Sequence, residues 1–250
     1  MSAPPEPAPP RLRSGGLVWI TRTAPAAEIT AERVRALGFQ AFVRPLLQVR
    51  PVEAGPLDLV GVGAVAFTSV NAVAAFCERS QVRELRVFVV GDATARAAAQ
   101  AGFETVLSAQ GDVATLATAL TARRREIAGA VFYPSAAEPA QDLAGALRRA
   151  GFEVRQAPLY ETVETTPAPA LIARLPDVDA VLLHSAKAAH ALARLLGAHP
   201  APQLVALCLS AQVAAPLLAA ALAGRLAAAA SAPEPHEASL LALLAQSAGG

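Results

Sequence analysis

The sequence predicts an α/β protein made of parallel sheets, with one strand–helix unit used twice. Three observations carry this prediction. Short apolar runs alternate with helical patterns along the chain, as in sheets whose strands are joined by crossover helices. The runs VWIT, AVAFTS, VFVVG, VFYPS, AVLLHS and LVALCLS are almost continuously apolar, as strands covered on both faces should be. Finally, three segments of the chain recur in the same order, and repeats decide fold before local propensity does.

The first repeat sets residues 18–49 over residues 131–162 without a gap. Val18, Ala31, Arg35, Gly38, Phe39, Pro45 and Leu46 meet Val131, Ala144, Arg148, Gly151, Phe152, Pro158 and Leu159. Each copy reads strand, loop, helix, glycine turn, strand, proline. Basic residues before Gly38 and Gly151 mark helix carboxyl ends, with the glycine in the left-handed position. The second repeat sets AVAFTSVNAVAAF (64–76) over AVLLHSAKAAHAL (180–192), each a strand, a polar turn at Ser69 or Ser185, and an Ala-rich helix. The third sets residues 86–102 over 204–220, again a strand, a short polar turn and a helix. It also explains the uncharged stretch from Leu204 to Gly224, which has the length of a membrane span. A core strand followed by an Ala-rich helix is the better reading.

Bulk composition adds exclusions. Across 250 residues, 21 basic and 20 acidic side chains nearly cancel, so bulk charge gives no reason to expect nucleic-acid or membrane-surface binding. Cys77 and Cys208 stand in no CxxC and no Cys/His cluster has metal-ligand spacing. They read as small buried hydrophobes in a reducing, cytoplasmic setting. Residues 1–16 are Pro-rich without an apolar core, and read as a disordered leader rather than a signal peptide. GxGxxG after a strand, GxxxxGK[ST], GxSxG and HExxH are all absent.

The chemistry is expected at the strand-to-helix turns, because parallel sheets bind ligands outside their carboxyl ends. Thr21 and Arg22, Thr68, Ser69 and Asn71, Gly91 and Thr94, Ser135, His184, Ser185 and Lys187, and Ser210 all fall there. Helix amino termini offer unpaired N–H groups, and hydroxyls add donors, so several such turns suit a ligand with many carboxylates or phosphates. The plainer role of each Ser or Thr is helix capping, at about 1 kcal/mol. Arg22 serves equally as a surface ion-pair partner, and His184 as a satisfied core histidine. Lys187 is the only lysine in the chain and sits in a first helical turn, where a cation is mildly unfavourable. APLYETVETTP (157–167) alternates like a strand, yet carries Tyr160 where the first repeat has Leu47.

TR after the first strand, FTSxNAV, VGDATA, RRAGFEVRQAPLYET and HSAKAA, in that order, resemble the uroporphyrinogen-III synthases. The resemblance covers roughly residues 17–245. It implies two similar parallel-sheet, flavodoxin-like α/β domains around a cleft, joined by a two-stranded linker. Residues 17–45 with 167–250 would form one domain and 53–157 the other, with 46–52 and 158–166 as linker strands. It also implies a cofactor-free, cyclising hydro-lyase acting on hydroxymethylbilane, a linear tetrapyrrole. Water is lost, the terminal ring inverts through a spiro intermediate, and the macrocycle closes. Tyr160 matches the family tyrosine, the candidate donor of a hydrogen bond or proton to the leaving hydroxyl. The turn residues named above would bind the carboxylates. No metal, cofactor, nucleic acid or membrane is expected. The expected state is a monomer, open to transient contact with the preceding pathway enzyme. Two departures stand out: the later counterpart of Gly91 and Thr94 carries Ser210 and Val213, and FTS becomes LHS at 183–185. A non-catalytic bilobal module for an anionic ligand would use the same turns. A flavodoxin-like nucleotide binder would need a phosphate-loop fingerprint.

Overall fold

The computed structural model describes residues 11–53, 55–109 and 111–248. The chain divides into two compact units, Met1–Gln48 with Val163–Gly250, and Val49–Thr162. The first unit opens with β1 (Leu17–Ile20), α1 (Ala26–Ala36) and β2 (Gln40–Val43). The chain passes to the second unit within β3 (Leu47–Pro51). There follow β4 (Val62–Phe67), α2 (Val70–Arg79), β5 (Arg86–Val90), α3 (Asp92–Gln100), β6 (Val106–Ala109), α4 (Val113–Ala122), β7 (Ala130–Ala136) and α5 (Leu143–Arg149). It returns within β8 (Val154–Glu164). The first unit then resumes with α6 (Pro169–Arg174), β9 (Val178–Leu183), α7 (Ala186–Ala198) and β10 (Ala201–Cys208). It ends with α8 (Ala211–Ala214), α9 (Leu218–Leu222), β11 (Leu226–Ser231) and α10 (Glu237–Ser247).

Each unit has its own sheet. One runs β2-β1-β9-β10-β11 and the other β3-β8-β7-β4-β5-β6. The pairings β2/β1, β1/β9, β9/β10, β10/β11, β8/β7, β7/β4, β4/β5 and β5/β6 are all parallel. Strand order therefore reverses between β1 and β9 in the first sheet and between β4 and β7 in the second. Those reversal points are where doubly wound sheets bind ligands, outside the carboxyl ends.

The apolar runs fold as buried strands because alternate side chains feed two cores. Val18, Ile20, Ala180, Leu182, Val205 and Leu207 pack on one side of the first sheet. Trp19, Val181, Leu183, Ala206 and Cys208 pack on the other. The second sheet divides likewise, with Val65, Phe67, Val87 and Phe132 on one face and Ala64, Ala66, Phe88 and Val131 on the other. Phe67 meets Phe76 edge-on, with ring centroids 5.7 Å apart, a favoured aromatic geometry.

The helix ends reproduce the first repeat atom by atom. Gly38 and Gly151 have φ of +85° and +82°. After them Phe39 N–H donates to the Val34 carbonyl at 3.3 Å, and Phe152 N–H to the Leu147 carbonyl at 3.0 Å. This is the backbone closure that a left-handed glycine permits. Both phenylalanines are then buried beside the sheet.

Three expectations need adjustment. Of the leader expected over 1–16, residues 1–10 lie outside the described residues, but 11–16 are tied down. Leu12 is buried and its N–H donates to the Ser247 carbonyl at 2.6 Å. Arg13 pairs with Asp179 at 2.6 Å, and Asp179 also accepts the Leu17 N–H at 2.8 Å. Second, APLYETVETTP does not stand apart from the core: up to Glu164 it continues β8, and Leu159 and Tyr160 are buried with the Phe67 cluster. The register slips between Ser135 and Ala136, so that Pro158 faces Ser135 while Tyr160 faces Ala136. Pro158 has no N–H to give to the ladder, and a local irregularity absorbs this. Beyond it, the Leu159 carbonyl accepts from Val52 and the Tyr160 carbonyl from Ala137, so β8 is bonded on both sides. Third, the uncharged stretch 204–224 is the expected strand, β10, and helix, but the single Ala-rich helix is divided into the short helices α8 and α9. Among the described residues no helix is long and apolar enough to cross a membrane.

Candidate active site at a carboxyl sheet edge

In the second unit a cavity of about 410 Å³ opens at the carboxyl edge of the sheet, at the β4/β7 reversal. It is lined by Thr68, Ser69 and Asn71 after β4, by Tyr133 of β7 and by Tyr160 and Thr162 of β8. Gly111–Val113 and residues 138–141 form its rim. Among the described residues no arginine or lysine lines it, and its charged residues are Asp112 and Glu138.

The turn after β4 builds the polar wall. Ser69 is extended (φ −160°, ψ 159°) and caps α2, its Oγ accepting the Ala72 N–H at 3.1 Å. The same Oγ lies 2.8 Å from the Tyr160 Oη. Tyr160 is nearly buried, and burial raises its phenol above the ordinary range, against the lowering effect of the Ser69 hydrogen bond. Thr68, the preceding residue, lines the cavity with Tyr133. Burial raises the Tyr133 phenol, with Thr68 opposing this and Tyr160 adding to it. The two rings root on opposite faces of the sheet, Tyr160 with Phe67 and Phe132, Tyr133 with Phe88 and Leu143. Both side chains line the cavity, and the Tyr160 hydroxyl meets Ser69 of the turn after β4. On the rim, Asp112 caps α4 by accepting the Thr115 N–H at 3.0 Å. That bond holds its carboxyl below the usual range, so it is ionised at neutral pH.

Other named residues of this unit sit beside the cavity rather than on it. Gly91 precedes α3 with φ +74° and ψ 155°, and its N–H donates to the Ala109 carbonyl. Thr94 is buried in the first turn of α3. Ser135 is fully buried, its Oγ accepting from Gln156 at 3.2 Å, so it braces β7 against β8.

The first unit has its own carboxyl edge. The Thr21 hydroxyl is buried and donates to the Leu182 carbonyl at 2.8 Å, tying β1 to β9. Arg22 pairs with Glu237 at 3.2 Å, and Glu237 also receives Arg33 at 2.8 Å and the Thr30 hydroxyl. His184 Nε2 stands 4.0 Å from the same carboxylate. Both its ring nitrogens are buried without a hydrogen-bond partner among the described residues. Burial, helped by Arg22 and resisted by Glu237, brings His184 down to about 4, so the imidazole is neutral at neutral pH. Ser185 caps α7, accepting the Ala188 N–H at 3.2 Å, and Lys187 is exposed in the first turn. Ser210 caps α8, accepting the Val213 N–H at 3.4 Å.

The structure therefore gathers Thr68, Ser69, Asn71 and Tyr160 on one cavity, and Arg22 with His184 around Glu237. Sequence reading missed Tyr133 and Glu237. A signal for Tyr133 was present: the repeat that sets Tyr160 against Leu47 also sets Tyr133 against Ile20. Glu237 had none, since it lies in α10, outside every repeat. Among the described residues no group of three or more His, Cys, Asp or Glu could hold a metal ion.

Fold and edge together define a doubly wound α/β protein with a hydroxyl-lined cavity at a topological switch point. Residues 28–242 match the family model described as uroporphyrinogen-III synthase HemD. The chain belongs to the uroporphyrinogen-III synthase family, whose place is in tetrapyrrole and heme biosynthesis. Among solved structures, the fold is similar to uroporphyrinogen-III synthetase from Helicobacter pylori, at 16% identity and a TM-score of 0.64, covering 92% of this chain and 97% of that one. A mutant uroporphyrinogen III synthase from Thermus thermophilus aligns at 17% identity and a TM-score of 0.48, covering 92% and 96%. A search of curated proteins finds no match.

Proposed function

We propose that this protein is a uroporphyrinogen-III synthase in activity: a cofactor-free lyase that cyclises hydroxymethylbilane, with inversion of the terminal pyrrole ring, to uroporphyrinogen III and water. The observation that carries the reading is the Tyr160–Ser69 pair on the cavity at the β4/β7 switch point, 2.8 Å from oxygen to oxygen. Ser69 Oγ already accepts the Ala72 N–H. Its own proton is therefore free to go to Tyr160 Oη, which leaves the Tyr160 O–H for the cavity. Departure of the substrate hydroxyl puts negative charge on oxygen, and a donor placed there stabilises that charge as it develops. Burial keeps Tyr160 protonated at neutral pH. A phenol is a weak acid, so its contribution is partial.

The substrate's carboxylates require donors as well. Thr68, Asn71, Gly91 and Thr94 in the second unit, and Thr21, Arg22, His184, Ser185, Lys187 and Ser210 in the first, remain the candidates. Among the described residues the cavity has no basic side chain, so there Thr68, Ser69 and Asn71 would act through hydroxyls, amide and helix N–H groups. In this reading residues 17–45 with 167–250, and residues 53–157, act as two domains, with 46–52 and 158–166 as the linking strands. The protein works as a cytoplasmic monomer on a small tetrapyrrole.

The test is to supply hydroxymethylbilane generated in situ and to separate the product isomers. Isomer III above the spontaneous background supports the reading. Isomer I alone, at the uncatalysed rate, would sink it.

A further inference from the structure

At the carboxyl edge of the first sheet, donors suited to a carboxylate are already filled by a carboxylate of the chain itself. The place is the β1/β9 reversal: Arg22 lies just beyond β1, and His184 directly follows β9. Glu237, the first residue of α10, meets both there. One of its carboxylate oxygens accepts from Arg22 Nη1 at 3.2 Å and from the Thr30 hydroxyl, and the other accepts from Arg33 Nη1 at 2.8 Å. Two guanidinium groups face one carboxylate, so positive charge is in excess. Both ring nitrogens of His184 are buried without a partner among the described residues, and Glu237 stops 4.0 Å short of Nε2. A buried polar group without a partner calls for an explanation, and a clasp between Glu237 and α1 alone gives none.

The contacts are also open to exchange. The side chains of Arg22, Arg33 and Glu237 are 30%, 53% and 21% exposed, and ion pairs reached by water hold weakly. Glu237 stands at the very start of its helix, so rotation about its own side-chain bonds withdraws the carboxylate without unwinding α10.

We propose that Glu237 is an internal stand-in for a substrate carboxylate: it fills the Arg22–Arg33–Thr30 site in the free protein, and a carboxylate of the tetrapyrrole displaces it. The incoming group is not tied to a helix, so it can close the gap to His184 and take a hydrogen bond from the ring. The identity of the ligand rests on the cyclase reading above. A site filled by the chain's own group binds its ligand more weakly, by the fraction of time that it stands open. Removing the competitor therefore tightens binding, whereas losing a structural clasp does not.

Glu237→Ala should lower the KM for hydroxymethylbilane about 3- to 10-fold. Glu237→Gln, which keeps the shape but loses the charge, should lower it by less. The dissociation constant of uroporphyrin I, a tetrapyrrole octacarboxylate followed by its fluorescence, should fall in parallel. Arg22→Gln should weaken both more in the Glu237→Ala background than in the wild type, because there the arginine is fully available. Glu234→Gln removes a nearby exposed carboxylate that pairs with His236 instead, and should leave both constants unchanged. Thermal midpoints would show which variants fold. The inference is overturned if folded Glu237→Ala and Glu237→Gln leave both constants unchanged or raised. It is equally overturned if Glu234→Gln lowers them as much, since bulk charge would then suffice. In either case isomer III from the wild-type protein leaves the cyclase reading standing. Isomer I alone from the wild type overturns the cyclase reading, and the uroporphyrin titration then decides the stand-in by itself.

Discussion

His184 should make the protein lose stability in mildly acid solution, and the size of the loss follows from its burial. The unfolded chain holds this imidazole near 6.5, while the folded chain holds it at about 4. Burial is the main cause, followed by Arg22, with Glu237 opposing. Between these values the unfolded state binds more protons than the folded one, so stability rises with pH and falls as pH drops through the window. The gap, at about 1.4 kcal/mol for each pH unit, comes to about 3 kcal/mol, of which about 2 is gone by pH 5. The side chain is 12% exposed, so solvent screening takes little of this away.

Carboxylates also titrate as pH falls, so the measurement must isolate the histidine. Urea unfolding of the wild type and of His184→Leu, at pH 7 and pH 5, does this. Leu fills the space between Arg22 and β9 without a titrating nitrogen. The wild type should lose about 2 kcal/mol more than the variant between the two pH values. Parallel losses would refute the reasoning, and would mean that the ring finds a partner for its proton in the folded protein.

Three further outcomes are expected. Tyr160→Phe should slow isomer III formation about 10- to 100-fold without abolishing it, measured as initial rate against the spontaneous formation of isomer I; an unchanged rate removes Tyr160 from the chemistry. Ser69→Ala should cost about 1 kcal/mol in chemical denaturation, through the lost α2 cap, and should also lower kcat because Tyr160 loses its partner. Gly91→Ala should cost about 1–3 kcal/mol in chemical denaturation, since φ +74° with ψ 155° is a backbone region for glycine; a Cβ there meets nothing within 4 Å, so a loss of this size would be conformational rather than steric.

Much of the fold was legible because backbone needs were written twice. Gly38 and Gly151 mark the same helix end, and each is followed by a phenylalanine that closes the same hydrogen bond. Ser69 and Ser185 mark the same helix start, each accepting an N–H three residues on. Position in the sheet was harder to read. The 157–167 segment looked polar because it carries two glutamates and three threonines, yet Leu159 and Tyr160 are core residues. Alternation describes which way a side chain points and says nothing about whether the next strand covers it. Pairing with both β3 and β7 is a tertiary fact.

The site shows the same limit at finer scale. Each tyrosine replaces an aliphatic residue of the first repeat, Leu47 or Ile20, so each was visible as an oddity. Their meeting was not visible, because they belong to different strands and to opposite faces. What joins them is the cavity at the carboxyl edge of the sheet, which both side chains line together with Thr68 and Ser69. The turn after β4 brings the Ser69 hydroxyl to Tyr160 across 91 positions of chain, and only the parallel pairing of β4, β7 and β8 into one sheet makes that meeting possible.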